Sequence, residues 1–115
     1  TGVMEQTFMG MAAGLAQSGW KPYVYSMVPF VIMRNYEQLR NDVCYANNNV
    51  KLIGAVGNVH YRFQGMSHNL LGTENEEDLL KDLPNIKRFY PASPDEVRQI
   101  VLETYRNPGP VFIRL

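Results

Sequence analysis

Four short runs rich in β-branched and aromatic residues, at 23–27, 50–56, 86–90 and 111–115, are separated by segments with helical spacing. Strands joined through helices are joined by crossovers, and crossovers make the strands run parallel. A parallel sheet has to be covered on both faces. The chain is therefore expected to be α/β, a three-layer αβα sandwich around a mainly parallel sheet.

The helical segments carry their own punctuation. A first helix is predicted over 3–17, where Ala, Met, Leu and Gln dominate, no proline intervenes and Ser18-Gly19 closes the run. A second starts near 31, with Ile32, Tyr36, Leu39, Val43 and Ala46 on one face, and stops at Asn47-Asn48-Asn49. A short acidic helix over 74–82 carries Leu79 and Leu80 and ends at Pro84-Asn85. The clearest local signal is Ser93-Pro94-Asp95-Glu96, which places a cap, a first-turn proline and a capping-box glutamate in order. Val97, Ile100, Val101 and Tyr105 then form an apolar face, and Asn107-Pro108-Gly109-Pro110 breaks the helix. Between 59 and 73 periodicity fails while Gly, His, Asn and Arg accumulate. A long irregular segment in a compact domain is usually functional or disordered.

Length and charge narrow the function classes. The 115 residues suit one small domain, expected to span 1–115, with no internal repeat or linker. Eleven basic and eleven acidic residues give zero net charge, so nothing favours nucleic acid or an anionic membrane surface. The lone Cys44 excludes an intrachain disulfide framework, suits a reducing compartment and reads as a buried structural thiol. No apolar run reaches the roughly 20 residues of a membrane span, and no signal-peptide pattern opens the chain. A cytoplasmic location is the expectation.

The candidate chemical centre is Glu5, in the first turn of the first helix. Two explanations stand on the residues alone: the helix dipole favours a carboxylate there, or the carboxyl serves chemistry. Gly10, Ala13 and Gly14 leave one side of that helix nearly bare. Such a side suits close approach by a backbone or a cofactor, or dense packing on a sheet.

Glu5-Gln6, Gly10-Met11-Ala12-Ala13-Gly14-Leu15-Ala16 and Gly19-Trp20-Lys21-Pro22 resemble the start of the pyrimidine-binding domain of transketolase-like, thiamine diphosphate-dependent enzymes. The resemblance continues through Arg34-Asn35-Tyr36-Glu37-Gln38-Leu39-Arg40 and Gly65-Met66-Ser67-His68. Leu83-Pro84-Asn85-Ile86, Tyr90-Pro91-Ala92-Ser93-Pro94-Asp95-Glu96-Val97 and Gly109-Pro110-Val111-Phe112-Ile113-Arg114-Leu115 extend it to the final strand. It implies a thiamine diphosphate-binding fold of the pyrimidine-domain type. It also implies that the usual first strand and helix of that domain are missing here.

By that resemblance Glu5 hydrogen-bonds N1′ of the cofactor's aminopyrimidine and is catalytic. His68 faces the thiazolium and the donor substrate's oxygens, a task suited to an imidazole that donates or accepts near neutral pH. On the residues alone a histidine in a polar loop is more often an ordinary surface residue. His60 and Arg62, in the same loop, are weaker substrate candidates. Family members stack an aromatic ring on the aminopyrimidine. Counting forward from Pro22 reaches Phe30, whereas counting back from Arg34 reaches Val31. A one-residue insertion near Pro29 reconciles the counts and selects Phe30, for which a plain core role is the competing reading.

Departures and absences shape the rest. Tyr61-Arg62-Phe63-Gln64 replaces the family's Gly-x-x-Gly-x-Asp, and the segment from His68 to Pro84 is longer than usual, so substrate specificity is open. The chain holds no Gly-Asp-Gly…Asn metal motif, no P-loop and no dinucleotide fingerprint. None of its residues is therefore expected to ligate a metal, and Mg2+ with the diphosphate is assigned to a partner domain or subunit. The resulting expectation is the pyrimidine-binding part of a transferase or lyase of the transketolase class. It would act on a ketose or 2-oxo acid and work only in a homo- or hetero-oligomer with its diphosphate-binding partner. The competing expectations are a degenerate assembly or regulatory domain of the same fold, and an unrelated α/β binding domain that uses the 57–73 loop.

Overall fold

The computed structural model describes residues 2–57 and 61–115. Four strands, β1 (Tyr23–Met27), β2 (Lys51–Ala55), β3 (Lys87–Phe89) and β4 (Val111–Arg114), form one sheet in the order β1-β2-β4-β3. All three pairings are parallel, with Val24, Leu52 and Phe112 in one row across the sheet. The step from β1 to β2 runs one way across the sheet and the step from β3 to β4 runs the other way. Right-handed crossovers then place their connecting helices on opposite faces. The α/β fold expected from the sequence is the one observed.

Helix α1 (Glu5–Gln17) buries Met9, Ala12 and Ala13 and ends at Ser18, where Gly19 turns the chain with φ +90°. The helical segment after β1 begins at Pro29, two residues earlier than its spacing suggests, and it is not a regular α-helix. A π-helical turn, Pro29–Met33, is closed by Arg34 N–H donating to the Pro29 carbonyl at 3.1 Å. After a break at Arg34 and Asn35 come α2 (Tyr36–Gln38) and a second π-helical stretch, Leu39–Tyr45. A π-turn holds one residue more than an α-turn.

Helix α3 (Glu76–Leu80) is capped by Asn75, which accepts from the Asp78 N–H, and is tied to β3. Tyr90 Oη donates to Glu77 at 2.8 Å and Arg88 pairs with Glu77 at 3.2 Å. Helix α4 (Pro94–Arg106) starts as predicted: Ser93 Oγ accepts from the Glu96 N–H, and Glu96 accepts from the Ala92 N–H. Its inward face differs by one residue, because Tyr105 is exposed while Thr104 is buried. At the surface the Lys21 ammonium lies 3.9 Å from the Tyr105 ring centroid.

The main core joins Val24, Leu52 and Phe112 of the sheet to α1, the 29–45 segment and α3. The opposite face is closed over β4, where Val111 and Ile113 are buried, and open over β1, where Tyr25 is 66% exposed. Cys44 is fully buried, and burial pushes its thiol up to about 12. Lys51, the first residue of β2, is also fully buried and donates to the carbonyls of Asn107 (3.2 Å) and Gly109 (2.8 Å). Burial first, then the charges of Lys87 and Lys21, lower its ammonium to about 8. Among the described residues no helix is long and apolar enough to cross a membrane.

Candidate active site

Ligand sites of parallel α/β sheets lie beyond the carboxyl ends of the strands. Three segments converge there: the start of α1, the π-turn after β1, and the loop carrying two 3-10 turns, Arg62–Gln64 and Met66–His68. They enclose an open cavity of about 550 Å³ whose lining includes Glu5, Phe8, Tyr25, Phe30, Gln64 and His68.

Glu5 is buried, although it opens its helix. The residues around it come from the break after the π-turn. Arg34 Nη1 donates to Glu5 Oε1 at 3.1 Å, and the Asn35 amide donates to the Glu5 carbonyl at 3.4 Å. Asn35 is fully buried, and its Oδ1 has no hydrogen-bond partner among the described residues. Sequence reasoning missed both residues as site components. Nothing local marks them, because their contacts with Glu5 span 29 and 30 residues.

Phe30 stands between two cationic or polarisable groups. The Arg34 guanidinium centre lies 4.0 Å from its ring centroid, and the His68 imidazole meets it edge-on at 4.7 Å and 72°. His68 Nδ1 lies 2.9 Å from Ser67 Oγ. The π-turn thus aims Phe30 into the cavity while the next residue, Val31, is fully buried in the core.

The structure brings Glu5, Phe30 and His68 together. Arg62 lies elsewhere, lining a separate cavity of about 460 Å³ with Gly65, Met66 and residues 69–72. His60 falls outside the described residues. Among the described residues no three His, Cys, Asp or Glu side chains are placed to hold a metal ion together. The arrangement offers a buried acceptor carboxylate, an aromatic face and an imidazole around one opening. That set can hold a flat heterocycle that bears N–H donors.

Residues 1–115 match the family described as "Transketolase, pyrimidine binding domain". The chain is 39% identical over 114 residues to an apulose-4-phosphate transketolase subunit of Actinobacillus succinogenes, covering 99% of this chain and 36% of that protein. It is 29% identical to the 6-deoxy-6-sulfo-D-fructose transketolase subunit SqwH of a Clostridium species, over 99% of this chain and 34% of that protein. A solved structure described as "Split gene transketolase, inactive beta4 tetramer" superposes with a TM-score of 0.81 at 35% identity, covering all of this chain and 35% of that one. The chain thus spans about a third of the length of these relatives.

Proposed function

The chain belongs to the transketolase pyrimidine-binding domain family, and from that premise we propose that it is the pyrimidine-binding part of a split, thiamine diphosphate-dependent transketolase. The observation that carries this reading is the meeting of Glu5, Phe30 and His68 on one cavity. The residues suit an aminopyrimidine: a buried carboxylate to accept from or share a proton with ring nitrogen, and a ring face beside it.

Thiamine diphosphate, when bound, supplies the carbanion chemistry beside a carbonyl. This chain's residues do the rest. Glu5 holds and exchanges a proton at N1′ of the aminopyrimidine. Phe30 stacks on that ring and sets its plane. His68, with Nδ1 engaged by Ser67, offers its other ring nitrogen to substrate oxygens. Two relatives are transketolase subunits named for sugar substrates, which supports a ketose or related sugar donor and ketol transfer as the reaction.

Mg2+ and the diphosphate are assigned to a partner subunit, and the site is completed between subunits. The outward face of α1 suits such a contact. Among the described residues a methyl group added at Gly10 or Gly14 would meet nothing within 4 Å, and Met11 and Leu15 beside them are about half exposed. The description of a split-gene relative as an inactive tetramer supports a unit that assembles with its own copies and gains activity only with its partner. Turnover of the assembled enzyme with Glu5→Ala tests the reading. Loss of turnover is expected, and a variant as active as the wild type would contradict it.

A further inference from the structure

Glu5 and Phe30 each stand between two cavities. Both line the cavity of about 550 Å³ that they share with His68. Glu5 also lines a cavity of about 270 Å³ with Val3, Thr7 and Arg34, and Phe30 also lines one of about 360 Å³ with Met33, Met66 and Arg34. Arg34 belongs to both outer cavities and is not among the residues that line the shared one. One side chain therefore reaches the two site groups from behind. Its guanidinium donates to Glu5 Oε1 at 3.1 Å and lies 4.0 Å from the Phe30 ring centroid. We propose that Arg34, together with Asn35, is a positioning clamp that fixes the carboxylate and the aromatic ring of the site from outside the cofactor cavity. The inference rests on the thiamine diphosphate reading given above.

The backbone break between the π-turn and α2 makes the clamp possible. Arg34 is helical at φ −68° and ψ −23°, whereas Asn35 leaves helical geometry at φ −127° and ψ 28°. On an unbroken helix consecutive side chains point about 100° apart, so neighbours seldom serve one partner. Here both serve Glu5. Arg34 takes its carboxylate, and the fully buried Asn35 donates its amide to the Glu5 carbonyl at 3.4 Å. The first residue of α1 is thus gripped by its side chain and its main chain at once.

The division of contacts leaves the carboxylate usable. Arg34 engages Oε1, and among the described residues no side chain donates to Oε2. The second oxygen stays available to a ring nitrogen. A guanidinium–carboxylate hydrogen bond is charge-assisted and directional, so it fixes the plane in which that oxygen is offered. The Glu5 side chain is 7% exposed and that of Arg34 is 44% exposed, which puts the arginine on the solvent side of the pair. The same cation on Phe30 holds the ring's plane through a cation–π contact. A flat, forked group suits both tasks, and a compact ammonium does not.

The test uses the complete protein assembled with its diphosphate-binding subunit, with thiamine diphosphate and Mg2+. Exchange of the cofactor's C2 proton into D2O is followed by NMR, beside calorimetric cofactor affinity and the melting temperature of each assembly. Wild type, Arg34→Ala, Arg34→Lys, Asn35→Ala and Glu5→Ala are compared. In Arg34→Ala, exchange at saturating cofactor is expected to slow about 10- to 100-fold, the loss that a slightly misplaced group produces. Methylguanidinium, added at a concentration that leaves the melting temperature unchanged, is expected to restore it, which a merely structural role would not allow. Asn35→Ala is expected to slow exchange less and to gain nothing from methylguanidinium. Unchanged exchange in either variant, or no recovery of Arg34→Ala, would overturn the clamp. If Arg34→Ala does not fold, Arg34→Lys decides. It keeps the charge and loses the planar fork, so partial slowing is expected and exchange at the wild-type rate would overturn the clamp. Failure of the wild type to bind thiamine diphosphate, or exchange in Glu5→Ala as fast as in wild type, would instead overturn the reading beneath it.

Discussion

The imidazole of His68 meets the ring of Phe30 edge-on, with centroids 4.7 Å apart. This contact joins the irregular loop to the π-turn, so the aromatic face and the imidazole of the site hold each other in place. Replacing Phe30 by Leu keeps most of the volume and removes the ring. Aromatic pairing contributes about 0.5–1.5 kcal/mol beyond area burial. A melting shift of that size and an affinity for thiamine diphosphate lower by about 2- to 10-fold are expected in the assembled protein. Unchanged cofactor affinity by calorimetry would remove Phe30 from the cofactor site.

Gly57 follows β2 and underlies the same loop. A Cβ there would lie 2.5 Å from the His68 carbonyl oxygen and press on the Asn69 side chain. Backbone cannot yield cheaply at such a distance. Gly57→Ala is expected to cost about 1–3 kcal/mol and to displace His68. Turnover is expected to fall further than the melting shift explains, and a variant with wild-type activity would show that the loop tolerates the shift.

The pH dependence of stability has two opposed components. Lys51 is held to about 8, below its ordinary 10.5, mainly by burial. Between those values the unfolded chain carries a proton that the folded chain has released, so stability rises with pH. Cys44 is pushed from 9.0 to about 12 by burial. Above about 9 the unfolded thiol loses its proton while the folded one keeps it, so stability falls. Melting temperature is expected to rise from pH 8 to 9 and to level off above. Lys51→Met removes the rise and Cys44→Ala the later loss, and a profile unaltered by Lys51→Met would refute the first assignment.

Ser93 caps α4 far from Glu5 in the chain. Ser93→Ala is expected to cost about 1 kcal/mol, read by denaturant unfolding, with the affinity for thiamine diphosphate unchanged. A change in that affinity would show that the cap and the site are coupled.

The fold was legible because its signals are local. Alternating apolar runs and helical segments implied a parallel sheet, and the Ser93 to Glu96 cap appears as expected. The site was legible in part. Glu5 and His68 were named from the resemblance, and the mismatch in counts around Pro29 suggested an inserted residue without indicating the π-turn found there. Arg34 and Asn35 were not legible as partners of Glu5, because their contacts join residues about thirty positions apart. The burial of Lys51 was hidden for the same reason: its partners are two carbonyls of the α4–β4 connection.

The most direct measurement is the melting temperature of the complete protein with its diphosphate-binding subunit, with and without thiamine diphosphate and Mg2+, for wild type and Glu5→Ala. A cofactor-dependent rise in the wild type that shrinks in the variant is the result expected if Glu5 holds the pyrimidine. A rise of equal size in both would contradict that role, and no rise in either would leave the fold without its cofactor.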